Sequence, residues 1–304
     1  LVDMITAEGN RLGQAADPVD GMQNDGWTAA EKYLTGYVVE KSLSVDNIFV
    51  IAVIFRFFGV PPIYQHRVLF WGILGALVLR GVMIGLGARL IAEFHWILYV
   101  FAAFLIATAF KMLFFKTEHS DPGHNFVVRM TRRLFPVTAR FHGEHFAVRA
   151  GSSESRESEV PGAPAVPDPV VEGARAGALL LTPLALALVM VETTDLIFAV
   201  DSIPAIFAIT GDPFLVFTSN VFAILGLRSL YFALLGLVDR FRYLKAALAL
   251  VLLVVGVKML IAGWLKALIG KHFNLYLLLV VVSILADGVI ASWIGDRRSR
   301  QHPA

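Results

Sequence analysis

Apolar residues in this chain are gathered into long runs, among them Val68–Leu79, Ile97–Phe110, Leu244–Val257 and Leu275–Ala286, separated by short polar turns. Runs of that length suit helices that satisfy their own backbone hydrogen bonds while crossing a hydrocarbon core about 30 Å thick. No stretch alternates apolar and polar residues as a membrane β-strand would. With 57% hydrophobic and only 16% charged residues, the main solvent of this chain is not water. The pattern predicts an all-α fold, a multi-pass transmembrane helical bundle of about seven spans near 33–58, 68–92, 97–115, 178–210, 216–236, 245–265 and 274–294.

The formal net charge of +2 is too small to imply a nucleic-acid partner, and the basic residues sit in loops rather than along one helix face. The sequence contains no cysteine, which excludes disulfides, thiolate metal ligands and thiol nucleophiles. Leu1–Lys32 is polar and acidic and lacks the apolar core of a signal peptide. It reads as a polar extracytoplasmic segment of a chain that begins downstream of its true start.

Residues 116–177, between the third and fourth spans, hold eight Lys/Arg, eight Asp/Glu and four His, with a Ser/Glu run at Ser152–Glu159 and prolines from Pro161 to Pro169. That mixture predicts a solvated loop, disordered in its Pro/Ser/Glu half. Arg56, Arg67, Arg129, Arg132, Arg133, Arg240, Arg242, Lys245, Arg297, Arg298 and Arg300 all fall on one side of an alternately threaded chain, which the positive-inside rule makes cytoplasmic. The loop and the C-terminal tail then lie in the cytoplasm.

An internal repeat divides the spans. Asp46-Asn47-Ile48-Phe49 matches Asp195-Leu196-Ile197-Phe198, Ile73-Leu74-Gly75 matches Ile224-Leu225-Gly226, and Lys111-Met112-Leu113 matches Lys258-Met259-Leu260. Asp46 lies 29 residues before Gly75 and Asp195 31 before Gly226, while 36 and 32 residues lead on to Lys111 and Lys258. Short apolar strings recur by chance in any membrane protein, but here order and spacing agree. Residues 33–115 and 178–265 each form a three-span unit, and an odd number of spans inverts the second unit relative to the first. Two inverted three-helix repeats followed by a final helix and basic tail, 266–304, is the expected plan.

Ionisable side chains inside spans are costly, about 2.5–3.5 kcal/mol each at a helix centre, and mark function. The first span carries Glu40, Lys41 and Asp46, and the fourth carries Glu192, Asp195 and Asp201. Glu192 and Asp195 share a helix face. Asp201 would share it only if the helix broke before Pro204. Asn47, Ser202 and Asn220 add neutral oxygens. An all-oxygen set suits a hard or borderline divalent ion such as Mn²⁺, Mg²⁺ or Ca²⁺. The alternative is that Glu40, Asp46 and Asp195 neutralise Lys41, Arg80, Arg228 or Lys258 in buried pairs. Lys111 and Lys258 are expected to snorkel to the interface, Gly72, Gly75, Gly81, Gly85, Gly226 and Gly236 to allow close helix packing, and His142-Gly143-Glu144-His145 to lie in solvated loop without the His-Glu-x-x-His spacing of a metalloprotease.

Three strings carry a resemblance: Glu40-Lys41-Ser42-Leu43-Ser44-Val45-Asp46-Asn47, the run from Val191 to Phe207 around Glu192-Thr193-Thr194-Asp195 and Asp201-Ser202-Ile203-Pro204, and Phe217-Thr218-Ser219-Asn220 through Arg228. They resemble the signatures of the TerC (tellurium-resistance) family of the LysE transporter superfamily, from about Tyr33 to Leu265. The resemblance implies a bacterial inner-membrane protein, Mn²⁺ efflux and an association with tellurite resistance. It also implies that Glu40, Asp46, Asn47, Glu192, Asp195, Asp201 and Asn220 are metal ligands. Family members usually carry two further helices before the position of Tyr33. The expected function is therefore a divalent cation exporter, not an enzyme, working by alternating access with protons as the candidate coupling ion and no permanently bound cofactor. The rival is a membrane scaffold or assembly factor, in which the acids are structural.

Overall fold

The computed structural model describes residues 17–21, 23–94, 96–114, 126–158, 164, 166–234, 244–269 and 273–301. Residues 1–16, two stretches of the expected loop at 116–125 and 159–163, and Gly236, Arg240 and Arg242 lie outside the described residues. The helices are α1 (Gly26–Phe58), α2 (Pro62–Glu93), α3 (Ile97–Phe114), α4 (Phe126–Leu134), α5 (Pro169–Gly173), α6 (Pro183–Phe207), α7 (Pro213–Leu225), α8 (Leu227–Leu234), α9 (Leu244–Ile269) and α10 (Phe273–Gln301). A helix coincides with each of the seven apolar stretches. Among the described residues, five helical segments are long and apolar enough to cross a membrane: α2, α3, α6, the α7–α8 pair over Pro213–Ala233, and α10 over Asn274–Ile294. The 33 residues of α1 include Glu31, Lys32, Glu40, Lys41, Asp46 and Arg56, and α9 carries a shorter apolar run, Ala246–Ile261.

α2 shows how such a helix is solvated. Phe70, Leu74, Val78, Val82 and Leu86 recur every four residues and are exposed, the face a bilayer covers. Leu69, Ala76, Arg80, Ile84 and Ile91 are buried. The polar side chain therefore points inward, the reverse of a water-soluble helix.

By contact the chain forms two compact units, residues 1–46, 77–117 and 198–304, and residues 47–76 and 118–197. The core of the first joins Val39 of α1, Ala102, Leu105 and Ala109 of α3, Ala205 of α6, Val251, Leu252 and Val255 of α9, and Leu277 and Val281 of α10. Gly256 brings α9 close to α3, since a Cβ there would lie 3.2 Å from the Ala102 carbonyl oxygen. A second cluster packs Ile84 and Ile91 of α2 on Ile203, Ile206 and Phe207 of α6 and Val216 of α7.

In the second unit, the segment expected to be loop carries regular structure among its described residues. Strands β1 (Ala147–Arg149) and β2 (Leu179–Leu181) pair antiparallel over a small core of Val148, Ala150 and Leu180, so the fold is not purely helical. Glu154–Arg156 form a 3₁₀ turn within the Ser/Glu run, and Asp168 caps α5 by accepting from the Val170 N–H. His142 is buried, its Nε2 3.5 Å from Asp168, in contrast to the solvated position expected. Glu144 pairs with Arg67 at 2.7 Å, and that bond and charge hold its carboxyl below the usual carboxylate range. A charged sequence has folded here because its charges meet one another and three apolar side chains close a core.

The fourth apolar stretch also differs from expectation. Its first residues form β2, and α6 then runs unbroken through Pro204 to Phe207. Pro204 lies in the last turn of α6, where its missing N–H removes one intrahelical bond without splitting the helix.

Candidate functional site

The largest fully buried side chain among the described residues is Arg80, in the first unit. Its guanidinium Nη1 forms an ion pair with Glu40 Oε1, and donates to Ser202 Oγ at 3.1 Å and Asn220 Oδ1 at 3.3 Å. All four side chains are buried, and they belong to α1, α2, α6 and α7. An arginine suits this position because its forked donors serve several acceptors at once. Glu40 is thus neutralised by a cation, the alternative the sequence left open. One oxygen, Oε2, keeps no hydrogen-bond partner, and neither does Asn220 Nδ2.

Asp201 does not join this node. It accepts from Thr108 Oγ1 of α3 at 3.2 Å. On the continuous α6, Asp201 and Ser202 project about 100° apart, which sends one to α3 and the other to Arg80. Lys41 sits beside α7, donating to the Ala223 carbonyl at 3.1 Å, and a Cβ on Gly226 would overlap its ammonium.

In the second unit, Glu192 of α6 lies against Gly75 of α2. A Cβ built on Gly75 would fall inside the carboxylate, so this glycine makes room for a charged group as well as for helix packing. Glu192 Oε2 is buried without a hydrogen-bond partner, as is Asn47 Oδ1. Asp195 follows one helical turn after Glu192, and Asp46 and Asp195 each engage a neighbour. Among the described residues no three His, Cys, Asp or Glu side chains converge as a ready-made metal cluster. Gly75→Ala is expected to lower the stability of the purified protein by about 1–3 kcal/mol through overpacking. Adding Glu192→Ala should recover most of that loss in thermal unfolding, and failure to recover would place the clash elsewhere.

One polar cluster escapes a reading of the sequence. Among its described residues, the polar segment before the first span turns inward: Lys32 Nζ lies 2.8 Å from Asp17, 2.9 Å from Asp20 and 2.7 Å from Asn24 Oδ1, all buried. Asp17 also accepts from the Thr210 hydroxyl and the Gly211 N–H, and Asn274 donates to Asp20 at 3.3 Å. Burial would raise the Asp17 carboxyl, but the Lys32 charge and the hydrogen bonds from Lys32, Thr210 and Val19 outweigh it and hold the group below its ordinary value. Lys258, expected at the interface, is instead buried and donates to the Ala208 carbonyl at 2.8 Å. The available signal was Asp17 and Asp20 three residues apart ahead of a lone lysine in the first turns of α1.

Helices with lipid-exposed apolar faces and inward-pointing carboxylates, arginine and lysine define a multi-pass α-helical integral membrane protein. The chain belongs to the integral membrane protein TerC family, whose sequence profile matches residues 25–300. It is 45% identical over 268 residues to an uncharacterised membrane protein of Myxococcus xanthus, covering 88% of this chain and 75% of the relative. It is 44% identical to a Salmonella typhi protein and 43% identical to an Escherichia coli K12 protein, each described as a candidate membrane-bound redox modulator, Alx. Those alignments cover 88% of this chain and 74% and 75% of the relatives. No solved structure matches the chain.

Proposed function

We propose that this protein exports a divalent metal cation, with Mn²⁺ the first candidate, by alternating access of two inverted three-helix repeats. The observation that carries the reading is Glu192. It sits inside an apolar 25-residue helix, seated on Gly75, with Oε2 buried and no hydrogen-bond donor supplied to it. A carboxylate so placed costs several kcal/mol unless a cation reaches it or a proton neutralises it. Glu40 marks the contrast, since Arg80 already neutralises it. Asp195 and Asn47 supply further oxygens in the unit that holds Glu192. In the other unit Asp46, Asp201 and Asn220 remain candidate ligands, and Glu40 offers a metal only the oxygen that Arg80 leaves open. The donors are all oxygen, which favours Mn²⁺, Mg²⁺ or Ca²⁺ over softer ions.

Two contacts support the repeat. Glu192, from the first span of the second repeat, seats on Gly75 of the first repeat, and Lys41, from the first span of the first repeat, seats on the matching Gly226. A two-fold relation brings the first helix of each repeat against the matched glycine of the other, although in the register set by Asp46 and Asp195 the position equivalent to Glu192 is Leu43, two residues from Lys41. The full plan of seven spans, a cytoplasmic 116–177 segment and C-terminus, an inner-membrane location and placement in the LysE superfamily belong to the same proposal, as does proton exchange at the carboxylates. A redox role of the kind named for two relatives would need a group other than a thiol, because the chain contains no cysteine.

Reconstituted proteoliposomes test the reading. Mn²⁺ efflux above that of empty liposomes is expected, scanned beside Mg²⁺, Ca²⁺ and Zn²⁺. Folded protein that moves none of the four would overturn it in favour of a scaffold.

A further inference from the structure

Gly226 divides one apolar span into two helices. α7 ends at Leu225 and α8 starts at Leu227, and the Gly226 N–H turns back to the Ile224 carbonyl instead of continuing the α-helical ladder. A helix that ends inside a span presents carbonyl oxygens without intrahelical donors, together with the negative end of its dipole. In hydrocarbon that arrangement attracts a cation, and half-helix C-termini of broken spans coordinate small cations in membrane transport proteins.

Here the cation is part of the chain. Lys41 Nζ donates to Ala223 O at 3.1 Å, and the missing Cβ of Gly226 provides the space that the ammonium occupies. No ion pair of 4 Å or less joins Lys41 to a carboxylate among the described residues, so the broken helix end is the partner the structure gives this charge. The side chain crosses from α1 to α7, 182 residues on, to reach it.

We propose that the carbonyl end of α7 is a binding site for a small monovalent cation, and that the Lys41 ammonium fills it permanently. The protein thereby carries its own counter-cation at the point where a sodium or potassium ion would otherwise bind. The inference builds on the transport reading in one respect: if this chain is a transporter, cargo movement needs no sodium or potassium ion at this position. The site itself stands on geometry alone and is tested without cargo.

The test is thermal unfolding of the purified protein in sodium, potassium and choline chloride at equal ionic strength. The wild type should unfold at the same temperature in all three. Lys41→Ala empties the seat, and sodium or potassium at a hundredfold excess over its Kd should raise its Tm by about 5 °C relative to choline. Lys41→Met, which fills the space without a charge, should show no such preference. Lys41→Cys adds the only thiol in the chain, and modification with an aminoethyl thiosulfonate should restore an ammonium and abolish the sodium response. Recovery of Lys41→Ala only in sodium or potassium buffer would be the expected result in a stronger form. Wild-type protein stabilised by sodium over choline would overturn the proposal. So would a Lys41→Ala variant that is indifferent to the salt, or one recovered in none of them.

Discussion

Lys32→Met is expected to destabilise the protein by about 3–5 kcal/mol, because it leaves two buried carboxylates without the ammonium they share. Lys32 is fully buried among Asp17, Asp20 and Asn24. The pH dependence separates this loss from a simple packing defect. In the wild type Asp17 is held below its ordinary value of 3.8, so its contribution is fully present above that pH and is lost as the pH falls through the lower folded-state value. In Lys32→Met the Lys32 charge and hydrogen bond are gone while burial and the Thr210 and Val19 hydrogen bonds remain, so the folded-state value rises from its wild-type position. The deficit of the variant should therefore narrow as the pH is lowered from about 7 towards about 4. Denaturation measured at both pH values gives the answer, and a deficit that stays constant would assign the loss to packing.

Glu40→Gln and Glu192→Gln should behave in opposite ways, although both remove a carboxylate from an apolar helix. Glu40→Gln removes the buried negative charge that Arg80 Nη1 meets and leaves that nitrogen facing the neutral oxygens of the new amide, Ser202 and Asn220, at a cost of about 3–5 kcal/mol. Reduced membrane abundance and a lower unfolding temperature are expected. Glu192→Gln strands nothing of the kind, because the wild-type carboxylate meets Gly75 and keeps an unsatisfied oxygen. Its stability should stay within about 1 kcal/mol of wild type or rise, while Mn²⁺ efflux falls to the level of empty liposomes. Efflux retained in Glu192→Gln would remove the centre of the proposed site. Normal stability in Glu40→Gln would mean that Arg80 finds another partner.

The contrast between these two glutamates shows where the sequence stops being informative. Apolar stretches are legible because hydropathy is a property of each segment alone, and a helix lies at every one of them. That Glu40, Glu192 and Asp201 are candidates is legible from the cost of charge in hydrocarbon. Which of them is neutralised is not. Arg80 lies 40 residues from Glu40 and 140 from Asn220 along the chain, and no local pattern joins them. The same gap explains the segment before α1. Asp17, Asp20, Asn24 and Lys32 look solvated one by one, and become buried only because they satisfy each other and Thr210. The place of Lys258 near the end of a matched string points to the interface, but a carbonyl lies within its reach inside the protein. Pro204 suggests a break that does not occur, since a proline so close to a helix end leaves little helix beyond it to redirect.

The short sheet in the second unit has a mechanical consequence. β2 ends at Leu181 and α6 begins at Pro183, so a single residue, Thr182, joins them, and its hydroxyl is itself tied to the carbonyls of His145 and Phe146. Such a join has no slack. α6 behaves as a rod fixed at its root, and Glu192 rides nine residues along it, about 14 Å away at about 1.5 Å per residue. Within the second unit, a shift of the strand pair is carried along the first turns of α6 to Glu192, so the position of that carboxylate is set by the folded segment before α6.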